Sequence, residues 1–78
     1  MLKDRGQAIQ LCRAEVSVRT GVAADDVRLD QVRVRPRQVR VDLDVWANGQ
    51  LQNIRCDVQR GDTLEIAEIT PALQTAAR

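Results

Sequence analysis

Asn48-Gly49 stands between two stretches, 38–47 and 50–59, in which apolar and polar residues alternate. A two-residue type I′ loop needs positive φ at both central positions. Asn and Gly accept this most readily, and the twist of the turn matches that of paired strands. With Ala47 set opposite Gln50, the whole register follows. Val39 meets Val58, Val41 meets Cys56 and Leu43 meets Ile54 on one face. On the other face Arg40 meets Asp57, Asp42 meets Arg55, Asp44 meets Asn53 and Trp46 meets Leu51. Apolar pairs fall on one side and complementary polar pairs on the other. A one-residue slip would destroy both patterns at once.

The flanking segments extend this hairpin. In "VRLDQVRVR" (27–35), Val27 and Leu29 share one parity while Val32 and Val34 share the other. All four reach one face only if a bulge or a break falls near Asp30-Gln31. Pro36 suits position i+1 of a type I turn. After the hairpin, "RGD" at 60–62 reads as a three-residue loop that sets Val58 opposite Leu64 and Cys56 opposite Ile66, with a strand over 63–69. Pro71 ends it, and 70–78 reads as a frayed tail or short helix. Upstream, residues 5–20 read as a helix, with Asp4 and Gln7 placed as a capping box and Gly21 as the left-handed stop. Ile9, Cys12 and Val16 make its stripe, with Ala8 beside them, and Leu11, Ala14 and Val18 widen the apolar surface. Val22 is expected to tuck under the helix end.

The expected fold is α+β, in the order α-β-β-β-β: one N-terminal helix on one face of a four-stranded antiparallel meander, the other face in water. Seventy-eight residues make one domain, 1–78. Without Phe or Tyr, and with Trp46 the sole aromatic, the core must be built from Val, Leu, Ile, Ala and the two cysteines. Cys12 on the helix stripe and Cys56 on the inner face of a central strand belong to one layer. They are either a disulfide or two buried thiols, and the even count in a short domain favours the bond.

Much chemistry is excluded or disfavoured. The chain has no His, so no His-dependent triad can form, and two cysteines alone argue against a metal site. The glycines fall at caps and turns rather than in a phosphate loop. No catalytic residue and no cofactor is therefore assigned. Twelve basic against eleven acidic residues give no field to steer the chain to nucleic acid or an anionic membrane. No run is long and apolar enough to span a membrane. The start "MLKDRGQ" is not a signal peptide, which leaves either a cytosolic protein or one whose leader has been removed. "RVRPRQVR" clusters Arg33, Arg35, Arg37 and Arg40 at one hairpin tip, with Arg33 opposite Arg40. That like-charge pair is the best hint of an anion site, although no aromatic side chains interleave for base stacking.

The order helix-then-meander, the opening "AIQLCRAEV" and the ending "CDVQRGDTLEI" resemble PepSY-type domains. Cys56-Asp57, Gly61 and Leu64 fall where that family has V-D, G and L. The middle strands lack the family's Tyr or Phe. The resemblance covers most of residues 7–66 and implies a non-catalytic bacterial module outside the cytoplasm, periplasmic or secreted, with inhibitory or ligand-binding roles. The expectation for function is a non-enzymatic module that contacts a protein or peptide partner through its outer sheet face. Trp46 and Leu51 would be its apolar anchor and Arg33, Arg40 and Arg55 its polar contacts. The competing expectation is an anion- or nucleic-acid-binding module that uses the tip at residues 33–40.

Overall fold

A computed structural model of the chain describes residues 2–47 and 49–70. Helix α1 (Leu2–Thr20) is followed by a single 3-10 turn (Ala24–Asp26) and by strands β1 (Arg28–Val34), β2 (Gln38–Ala47), β3 (Gln50–Arg60) and β4 (Leu64–Thr70). The strands form one antiparallel sheet in chain order, β1-β2-β3-β4. The α-β-β-β-β meander inferred from periodicity is the fold. The proposed tail lies outside the described residues except for Thr70, which belongs to β4.

The helix begins three residues earlier than its capping signal suggested. Asp4 is not the cap but a first-turn acid, where a carboxylate favours the positive end of the helix dipole. Its Oδ2 accepts hydrogen bonds from Arg60 Nε at 3.1 Å and Arg60 Nη2 at 2.8 Å. At the other end Gly21 adopts φ +78°, and its N–H bonds the Ser17 carbonyl at 2.8 Å. Val22 packs against the core as expected.

Ala8, Ile9, Cys12 and Val16 are buried against Val39, Val41, Leu43, Val45, Ile54, Cys56 and Val58 of the central strands. Leu11 and Val18 stay 38% and 74% exposed, so the second apolar side of the helix does not enter the core. One helix on one sheet buries a single stripe. Cys12 and Cys56 form the disulfide across the two layers, with Cα atoms 6.1 Å apart and a sequence separation of 44. In the chain-entropy account a closure of that length contributes about 4 kcal/mol.

The β2–β3 register matches the sequence inference at every pair, from Val39–Val58 to Ala47–Gln50. Gly49 has φ +75°, as the turn demands; Asn48 lies outside the described residues. Between β1 and β2 the register shifts between Leu29 and Gln31, where the parity change required it. Arg35 and Gln38 exchange backbone hydrogen bonds around Pro36-Arg37, with Pro36 at i+1.

The last hairpin corrects the sequence reading. The loop is 61–63 rather than 60–62, because Arg60 stays in β3 opposite Leu64. Val58 meets Ile66, not Leu64, and Cys56 meets Ile69, not Ile66. A second register shift lies beside Asp57-Val58. Without it Glu68 would stand opposite Cys56 on the inner face. The extra residue, Ala67, turns Glu68 out and brings Ile69 in, where it is buried.

Candidate protein-docking face

The sheet face away from α1 is built by the parity of the strands. Reading across β1 to β4, successive rows run Arg28, Asp44, Asn53; then Gln31, Asp42, Arg55, Thr70; then Arg33, Arg40, Asp57, Glu68. Trp46 and Leu51 face each other at the turn end of β2 and β3. They are 65% and 57% exposed, the largest apolar surface on this face. A shallow hollow beside Trp46 is lined by Val22, Asp26 and Arg28. Both residues stand exposed on the outer face, as strand parity predicts.

The arginines assigned with them are not equivalent. Arg40 Nε donates to Asp57 Oδ1 at 3.1 Å, and Gln38 Nε2 donates to the same oxygen at 3.0 Å. Arg55 Nε lies 3.7 Å from Asp42 Oδ1, an ion pair without a hydrogen bond. Among the described residues no carboxylate lies within ion-pair distance of Arg33. The structure therefore brings Trp46 and Leu51 together at one end of the face. It places Arg55 in the middle and Arg33 and Arg40 side by side farther on.

Two features escaped the sequence reading. Asp42 is buried, although it sits on the water-facing side. Gln31 Nε2 reaches its Oδ2 at 3.3 Å, and Arg55 lies over the other oxygen. Arg60 has the inner parity of Val58 and Cys56, and it uses that position to reach Asp4 and to donate to the Arg35 carbonyl at 2.7 Å. A charged residue at an apolar parity was the signal available for that link. Through it the helix start, the end of β3 and the β1–β2 turn are tied together.

The two outer-face carboxylates of β2 are held by their neighbours. Asp42 and Asp44 each engage a neighbouring side chain; Asn53 Nδ2 holds Asp44 Oδ1 at 3.0 Å. Among the described residues no group of three or more potential metal ligands occurs. Among the described residues no helix is long and apolar enough to cross a membrane. In comparisons with protein families, curated proteins and solved structures, the chain matches none.

Proposed function

We propose that the protein is a non-catalytic binding module that docks a protein partner through its outer sheet face. One observation carries the reading: Trp46 and Leu51 lie directly opposite each other and are both more than half exposed. An exposed Trp adjoining an aliphatic residue, with arginines on the same face, has the composition of an interface anchor. The core gives no competing role to that indole. Among the described residues Arg33 adds a cation without an ion-pair partner, while Arg40 and Arg55 bring cations already balanced by Asp57 and Asp42. The disulfide suits an oxidising compartment, so the module works outside the cytoplasm, periplasmic or secreted, in line with its likeness to PepSY-type domains.

The test pairs two measurements on Trp46→Ala. Stability should change by less than about 1 kcal/mol, as for an exposed position. Recovery of the partner from native extract by the immobilised chain should fall strongly, since an anchor contributes about 2 kcal/mol or more. Unchanged recovery would remove the docking role. The anion-binding reading has less support, because Asp57 already holds Arg40 at the proposed tip. Salt separates the two: anion capture by Arg33, Arg35 and Arg37 would weaken steeply between low and high ionic strength, whereas docking through Trp46 would persist.

A further inference from the structure

The row Arg33, Arg40, Asp57, Glu68 crosses the whole sheet and carries the charges plus, plus, minus, minus. Within one molecule this order is unfavourable at both ends. Arg33 stands directly opposite Arg40, and Asp57 directly opposite Glu68. Like charges at opposed positions destabilise a sheet. The Arg40–Asp57 pair relieves only the centre. Among the described residues neither Arg33 nor Glu68 takes part in an ion pair or side-chain hydrogen bond. The outer face is thus antisymmetric, basic toward β1 and acidic toward β4, where Glu65 adds to Glu68.

We infer that the partner of this face is a second copy of the chain, stacked face to face about a two-fold axis that runs along the strands between β2 and β3. The inference rests on the docking role of the outer face proposed above and names its occupant. Rotation about that axis lays β1 over the partner's β4 and β2 over its β3, and leaves each row at its own height. Minus, minus, plus, plus then covers plus, plus, minus, minus. Arg33 meets the second copy's Glu68, and Arg40 lies over its Asp57. Trp46 meets Leu51 at the turn end, and the reciprocal contact closes the same apolar cluster. Strand directions stay aligned, within the angle that two twisted sheets adopt when they pack. The other in-plane two-fold axis, across the strands, would lay β1 on β1 and set arginine against arginine.

Edge-to-edge growth would also join a basic β1 to an acidic β4. Both edge strands, however, carry a register shift, and an irregular ladder disfavours the addition of a further strand. The face spans four strands about 4.8 Å apart, so each copy covers roughly 500 Å². This is below the ~800 Å² per partner of a stable interface. The dimer is accordingly expected to be weak and to need high protein concentration.

Sedimentation equilibrium of the oxidised full chain, from about 10 µM to 1 mM, should show monomer passing to dimer and stopping there. Salt should weaken the dimer only modestly, because the Trp46–Leu51 contact is insensitive to it while the partly exposed charged row is screened. Arg33→Glu alone, and Glu68→Arg alone, each place two like-charge contacts in the dimer and should raise the dissociation constant about tenfold or more. An equimolar mixture of the two variants should restore association, because every crossed contact is again opposite in sign. A chain that stays monomeric throughout, association that continues past two, or a mixture no tighter than its components overturns the inference. Trp46→Ala separates this from the wider reading. A monomer whose recovery of another protein still depends on Trp46 overturns the second copy and keeps the docking face. A dimer indifferent to Trp46→Ala and Arg33→Glu assembles elsewhere, and overturns the inference.

Discussion

Replacing Cys12 and Cys56 by Ala removes the one covalent tie between the helix and the sheet. About 4 kcal/mol of loop-closure stabilisation goes with it. For a small domain that is a large share of a total of roughly 5–15 kcal/mol, so the double variant should unfold at a much lower urea concentration. Intact mass measured with and without reductant, showing a gain of about 2 Da, checks the bond itself. Gly49 offers a cleaner backbone test. A Cβ there would meet no atom within 4 Å, so Gly49→Ala suffers only from φ +75°. The expected loss is about 1–2 kcal/mol in urea denaturation. The exposure of Trp46 and Leu51 was legible in the sequence because strand parity alone decides it. The burial of Asp42 was not, because it depends on where the long side chains of Arg55 and Gln31 come to rest.

The elements differ in how openly the sequence announces them. The β2–β3 hairpin combines a strongly specified turn with an unbroken period of two, and its ten pairs follow from that alone. The β1 shift was legible because Val27 and Leu29 change parity with Val32 and Val34. In β4 the same device was hidden. Leu64 and Ile66 suggest an unbroken strand, and only the need to keep Glu68 away from Cys56 shows that a residue must be set aside. The loop position was missed because Arg60 looks like a turn residue until Asp4, 56 positions earlier, is seen to hold it. The helix start was missed for the same reason. Amide hydrogen exchange should follow this order. The central β2 and β3 ladder should open only with global unfolding, while amides of β1 and β4 beside their register shifts should exchange through smaller local openings. Uniform protection across all four strands would contradict that gradient.

At the scale of the molecule, one helix over one sheet consumes a single face and leaves the other free for the docking role proposed above. The prediction at this scale is separability. Trp46→Ala and Arg33→Glu should alter association while moving the urea midpoint by the equivalent of less than about 1 kcal/mol, because both side chains lie outside the core. A large loss of stability in either variant would place that residue in the fold rather than in recognition. The disulfide has a mechanical consequence as well. Tension applied to the chain ends runs along α1 to Cys12, crosses the sulfurs to Cys56, and continues into β4. The segment between the cysteines, which holds β1, β2 and their turn, carries no load. A single oxidised molecule drawn out in a force experiment should therefore fall short of its reduced length by about 150 Å, the span of some forty extended residues. The strands that carry most of the outer-face arginines would stay slack while the rest of the chain is pulled taut.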